Sequence, residues 1–220
     1  MSSDRGVSWR ESRLGQIDLS VTEAGELLGP DLARWLSLRA RSPAEAARRL
    51  AGRAAVRDLV RELDLFPWRG FTPTDRGRKP AFEGASADFS ISHTADRMLV
   101  AVAKGRRIGV DIEEASPVFD SLTLQRRMCS PAELARTATL DPVSRRRWLT
   151  RLWTAKEALS KADGHGLRKD FRTIELLPLA EMEWPDLPFV AAIATRSHNS
   201  AGTVEIWHPD LSVALALSER

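Results

Sequence analysis

Cysteine is nearly absent from this chain: Cys129 is the only one in 220 residues. That excludes an internal disulfide and a cysteine metal cage, and leaves Cys129 as an ordinary, partly buried thiol. Long apolar runs are missing too. No stretch approaches the length of a membrane span, and Met1 to Gly6 are polar where a secretory signal would carry its apolar core. Together these absences predict a cytoplasmic protein that does not enter a membrane. Tyrosine does not occur, and the 7 tryptophans suit packing better than a platform for stacked bases. Lysine is scarce as well: Lys79, Lys104, Lys156, Lys161 and Lys169 are the five lysines among 33 basic residues, the rest being arginine. A compact ammonium and a planar guanidinium do different chemistry, so the positions that keep lysine are worth following.

The net charge of +3 is modest, and its sign suits a polyphosphate ligand or an acidic protein partner. Strand-like pieces at Val7 to Trp9 and Ile17 to Val21 precede a helix expected from Thr22 or Glu23 to Arg39. Ser42-Pro43-Ala44-Glu45 reads as a second helix start, with Ser42 as N-cap and Pro43 at the first helical position. That helix should run to Leu63, with Arg48, Arg49, Arg53, Arg57 and Arg61 spaced so that several share one face. A Pro- and Gly-rich loop from Phe66 to Gly84 follows. Strands are then expected at Asp88 to Ile91, Met98 to Ala103 and Arg107 to Glu113, the last two joined by a turn at Lys104-Gly105. The second half begins again with helices: Val118 to Met128, one opening at Ser130-Pro131-Ala132-Glu133, and a long one from Val143 to Ala162 stopped by glycine after Asp163. Strands are expected at Thr173 to Leu177, Phe189 to Thr195, Thr203 to Trp207 and Leu211 to Leu217.

Two segments carry chemistry. Ile108-Gly109-Val110-Asp111-Ile112-Glu113 alternates apolar and acidic residues, so a strand there buries the isoleucines and valine and sets Asp111 and Glu113 side by side on the opposite face. Such a pair is also what an exposed polar strand face carries. In the long helix, Glu157 and Lys161 lie four apart and share a face, the spacing of an ordinary exposed ion pair. Three carboxylates and an ammonium are equally a set suited to holding a divalent cation against a phosphate. His93 follows Ser92 at a strand end and is, alone, as readily structural as catalytic. His165, His198 and His208 have no partner at metal-ligand spacing.

Taken in order, Gly77-Arg78-Lys79-Pro80, Ser92-His93, Gly109-Val110-Asp111-Ile112-Glu113 and Trp153 to Lys161 followed by Gly164-His165-Gly166 resemble the 4'-phosphopantetheinyl transferases of the Sfp type. The resemblance covers roughly Phe66 to Ile174, with one residue inserted between Gly77 and Lys79. It implies transfer of the phosphopantetheine arm of coenzyme A to a carrier-protein serine, with release of adenosine 3',5'-bisphosphate. By the same resemblance Asp111, Glu113 and Glu157 are Mg2+ ligands, and Glu157 or a metal-bound water is the base. Lys161 acts on the phosphate, Lys156 supports it, and Glu133 is an assisting base, although Glu133 also fits a capping box. Lys79, Pro80, Ser92, His93 and Arg48 or Arg49 fall at positions near the 3'-phosphate and adenosine, with Arg34 or Arg39 as further candidates.

The resulting expectation is an α+β pseudodimer of two similar halves, 1–114 and 115–220, each with helices packed on a small antiparallel sheet. Coenzyme A and Mg2+ would lie in the cleft between them. It would act as a monomer on an acidic acyl, peptidyl or polyketide carrier protein, steered by Arg126, Arg127 and Arg145-Arg146-Arg147, in fatty-acid or secondary-metabolite synthesis. Two alternatives remain at the level of sequence: a Mg2+-dependent nucleotide pyrophosphate hydrolase, and a basic nucleic-acid-binding module. The second is disfavoured because the arginines are scattered along the chain.

Overall fold

A computed structural model describes residues 2–4, 7–13, 20–72, 79–164, 170–177, 189–197, 203–207 and 214–218. The architecture is α+β, divided into two compact units, Met1–Ile108 and Gly109–Arg220.

The first unit opens with β1 (Ser2–Asp4) and β2 (Val7–Arg13), an antiparallel pair. Where one helix to Arg39 is expected there are two, α1 (Val21–Leu28) and α2 (Leu32–Arg41), separated by a short 3-10 turn at Gly29–Asp31. Pro30 supplies no N–H to continue the helix, and Gly29 takes a φ of +56° that L side chains avoid. Gly29 also meets Gly70 so closely that a Cβ on Gly70 would lie 2.8 Å from the Gly29 Cα, which ties this break to the chain after α3 (Pro43–Glu62). Ser42 stands at the N-cap of α3, but its side chain makes no capping hydrogen bond, and Glu45 instead receives Arg48 and Arg49.

A two-stranded ribbon of β3 (Phe71–Thr72) and β4 (Ala81–Phe82) comes before β5 (Ala87–His93) and β6 (Arg97–Lys104). Strand order in the main sheet is β1-β2-β6-β5, antiparallel at every step. Leu27, Leu50, Leu59, Phe71, Phe89 and Val100 belong to one buried cluster between the helices and this sheet. Its aromatic centre packs ring on ring, Phe71 and Phe82 each with centroids 5.0 Å from Phe89. Gly105, at φ +65°, makes the expected turn into β7 (Arg106–Glu114).

The division between units falls inside β7, six residues before the 114/115 boundary read from sequence, because β7 is a strand of the second unit's sheet, β10-β9-β8-β7. After β7, the expected helix from Val118 resolves into a 3-10 turn at Pro117–Asp120 and α4 (Leu122–Met128). Next come α5 (Pro131–Thr137) and α6 (Pro142–Asp163), which ends at Gly164 with φ +74° as the glycine stop requires. Ser130 and Glu133 form the full capping box at α5.

No strand forms at Thr173 to Leu177. Asp170 accepts the Arg172 N–H at 3.0 Å and sets a 3-10 turn, Phe171–Thr173. β8 (Phe189–Ser197), β9 (Thr203–Trp207) and β10 (Ala214–Ser218) complete the sheet, with antiparallel pairing of β8 to β9 and β9 to β10. α6 packs against β8, burying Leu149, Leu152, Ala155, Leu159, Ala192 and Ala194 in one cluster. Ile17 to Leu19 and Leu211 to Val213, parts of two expected strands, lie outside the described residues, as do Gly77, Arg78, His165, Gly166, His198 and His208.

Candidate active site

Gly109 explains how the acidic strand and the long helix meet. A Cβ there would fall inside the van der Waals envelope of the Ala158 carbonyl oxygen and the Ala162 nitrogen, so only glycine lets β7 lie this close to the α6 backbone. Asp111 follows two residues along the strand, and Glu157 and Lys161 flank the contacted turn of the helix. The consequence is a direct bond: Lys161 Nζ donates to Asp111 Oδ1 at 2.6 Å.

This overturns two expectations about exposure. Asp111 is 3% exposed, because β7 is buried on both faces from Ile108 to Ile112 rather than on one. Glu157 and Lys161 are not an ordinary solvated helix pair, since Glu157 is 8% exposed and the ammonium reaches the strand. Glu113 is half-buried and accepts the Trp153 indole N–H at Oε1, 3.2 Å away.

The electrostatics follow from burial and like charge. Burial first, and then the charge of Asp111 with a smaller push from Glu157, raise Glu113 to about 7, against the indole hydrogen bond and Lys161. Burial likewise lifts Glu157 to about 6, with Asp111 adding and Lys161 opposing. The three acids therefore feel one another, and a cation among them would relieve the repulsion. Among the described residues no group of three or more His, Cys, Asp or Glu side chains is spaced as a ready metal cage. Mg2+ does not need one, because it characteristically takes one or two carboxylates and completes its shell with water and substrate phosphate. Asp111, Glu113 and Glu157 offer oxygen donors only, and one or two of them would meet that requirement.

Lys156 and Glu133 take a different place from the one expected. Both are fully buried, at 0% exposure. Lys156 Nζ donates to Glu133 Oε2 at 2.5 Å, to the Met128 carbonyl at 2.7 Å and to the Phe171 carbonyl at 3.1 Å, which uses all three of its protons. Glu133 also accepts the Ser130 N–H at 2.7 Å and the Leu176 N–H at 2.8 Å. Burial lowers the Lys156 pKa, against the pull of Glu133. Neither side chain can touch a bound substrate in this arrangement, so Lys156 as a coenzyme contact and Glu133 as a base are corrected to one structural ion pair. It ties the end of α4, the start of α5 and the turn at Phe171 to the helix that carries Glu157. Cys129 beside it is buried outright, its thiol pushed up to about 12 by burial.

In the first unit, Lys79 Nζ donates to Asp88 Oδ2 at 2.7 Å and to the Ile108 carbonyl at 2.6 Å. Asp88 Oδ2 also accepts the Ile108 N–H at 2.9 Å, so Lys79 holds the start of β7. Pro80 follows it, half-buried, and Ser92 is buried while His93, its neighbour at the end of β5, is exposed. Arg48 and Arg49 both reach Glu45, at 2.9 and 2.8 Å, on the open face of α3.

Only Arg49 of the two lines a cavity of about 600 Å³, together with Arg34, Arg41, Arg53, Trp35 and Asp31. Arg53, part-buried, is ion-paired to Asp31 and lies over the Phe71 ring at 4.8 Å. Arg39 lies over Trp35, 5.2 Å from its centroid. The participation of Arg41 and Arg53 was not read from the sequence, because their seven- and four-residue spacings from Arg34 and Arg49 look like any charged helix face.

Residues 107–187 match the family model described as the 4'-phosphopantetheinyl transferase superfamily. Through this segment the chain is similar to that superfamily. The matched segment contains every residue of the acidic cluster and the whole of α6. The superfamily likeness extends to individual proteins. The chain is 33% identical over 129 residues to a Synechocystis sp. protein named provisionally as a 4'-phosphopantetheinyl transferase, covering 57% of this chain and 52% of that one. It is 36% identical over 81 residues to the 4'-phosphopantetheinyl transferase HetI of Nostoc sp., 37% of this chain and 34% of that one. With the 4'-phosphopantetheinyl transferase Sfp of Bacillus subtilis it shares 29% identity over 126 residues, 56% and 54% of the two chains. The chain thus spans about half the length of the curated relatives it matches, or less.

Proposed function

We propose that the protein transfers the phosphopantetheine arm of coenzyme A to a serine of an acyl, peptidyl or polyketide carrier protein, as a cytoplasmic monomer. The observation that carries this is the Lys161–Asp111 contact at 2.6 Å beside the buried Glu157 and the half-buried Glu113, inside the segment matched by the superfamily model. Asp111, Glu113 and Glu157 would hold Mg2+, which supplies charge neutralisation at the pyrophosphate. Glu157, at about 6, is largely ionised at neutral pH and stands ready to take the proton of the attacking serine hydroxyl. The Lys161 ammonium, 27% exposed at its side chain, donates to the phosphate on which negative charge develops and supports departure of adenosine 3',5'-bisphosphate.

For the nucleotide end, the reading uses first-unit residues: Ser92 and His93 at the end of β5, Lys79 and Pro80, and Arg49 in its basic cavity with Arg34. Arg126 and Arg127 line a second cavity, of about 460 Å³, with Leu124, Trp153 and Phe171, and suit an acidic carrier. The arginines do not support a nucleic-acid module. Arg10, Arg53, Arg97, Arg146, Arg172 and Arg196 each pair with a carboxylate, so the charge of these six is locally cancelled rather than laid out as a stripe. Among the described residues no helix is long and apolar enough to cross a membrane.

Calorimetry with coenzyme A and its 3'-dephospho form tests the nucleotide assignment. Coenzyme A should bind tighter, because a charge-assisted contact is lost with the phosphate. Equal affinities would remove the basic residues from the site. Release of adenosine 3',5'-bisphosphate without any carrier present would instead indicate a hydrolase.

A further inference from the structure

Trp153 stands on α6 one turn before Glu157. Its ring lies edge-on to Phe171, with centroids 5.5 Å apart, and tilted against Phe119 at 6.4 Å. Both of those rings are buried, at 5% and 3% exposure. The indole plane is therefore set by packing before any ligand arrives. Its N–H can only donate, and it donates to Glu113 Oε1 at 3.2 Å. Glu113 itself sits where β7 emerges, followed by the exposed Glu114, so strand packing alone does not fix its carboxylate.

We propose that Trp153 is a positioning residue: its indole N–H holds the Glu113 carboxylate in place beside Asp111 and Glu157, ready to ligate a divalent cation. This rests on the metal reading of the acidic cluster given above. A fixed donor to one oxygen removes side-chain freedom that would otherwise be lost on binding, and leaves the remaining lone pairs for the cation. Trp153 acts on the metal through Glu113 and does not itself ligate it.

The test is Mn2+ binding to the whole chain, followed by electron paramagnetic resonance, for wild type, Trp153→Phe, Glu113→Gln and the double variant. Trp153→Phe should weaken Mn2+ about 10–100-fold, the usual cost of losing a partner that orients a metal ligand. The double variant should bind no more weakly than Glu113→Gln alone, because the indole acts only through that carboxylate. Wild-type affinity in Trp153→Phe, or losses that multiply in the double variant, would overturn the proposal. Should Trp153→Phe melt early, benzothienylalanine at 153 keeps the bicyclic shape without the N–H and must give the same loss. If wild type fails to bind Mn2+ even with coenzyme A present, or Glu113→Gln binds it as wild type does, the metal reading itself fails and this inference with it.

Discussion

Lys156→Met should cost about 3–5 kcal/mol of stability, the usual penalty for leaving one partner of a buried ion pair uncompensated. Its ammonium is fully buried and satisfies Glu133 and two main-chain carbonyls at once, so methionine fills the volume but strands a carboxylate and two acceptors. Glu133→Gln should be destabilising for the mirror-image reason. Combining Glu133→Gln with Lys156→Met should recover part of the loss, because no charge remains buried, while the single amide oxygen keeps only one of the Ser130 and Leu176 N–H groups that Oε2 and Oε1 accept separately. Urea unfolding of the four proteins measures this. If Glu133→Gln instead kept full stability and slowed turnover, Glu133 would return to the role of base.

The second large effect concerns Glu157 and Lys161. Glu157→Gln and Lys161→Met should each lower the transfer rate roughly a hundredfold or more, as expected for losing a general base or a charge-stabilising donor. Stability should respond differently in the two. Lys161→Met removes the counter-ion of buried Asp111 and should lower the melting temperature, whereas Glu157→Gln removes a charge whose burial is itself unfavourable and should not. Melting curves and carrier-modification rates taken on the same samples separate the two roles. Wild-type rates in both variants would return this turn of α6 to a purely structural part.

Much of this site was legible because its information is local. The Gly-x-Asp-x-Glu strand, the capping box at Ser130 and Glu133, and the glycine that stops α6 all formed where their residues stand. What could not be read depends on partners distant in sequence. Spacing alone pairs Lys161 with Glu157, and only packing around Gly109 brings in Asp111, 50 positions earlier. Lys156 and Glu133 carry the residue types of a catalytic pair, and only their burial shows that they hold the fold. The helix expected through Arg39 failed at Gly29-Pro30 because a close glycine contact outweighed the apolar periodicity on either side. Thr173 to Leu177 had strand-like composition, but the Leu176 N–H is committed to Glu133 instead of a ladder.

The most direct measurement is the mass of an apo carrier protein after incubation with coenzyme A, Mg2+ and either the wild-type protein or Asp111→Asn. Asparagine is the better choice than alanine because Asp111 is buried and its volume must be kept. The account predicts that wild type adds one phosphopantetheine to the carrier, that Asp111→Asn does not, and that omitting Mg2+ abolishes the gain. An unmodified carrier with wild type across acyl, peptidyl and polyketide carriers, or full modification by Asp111→Asn, would contradict it.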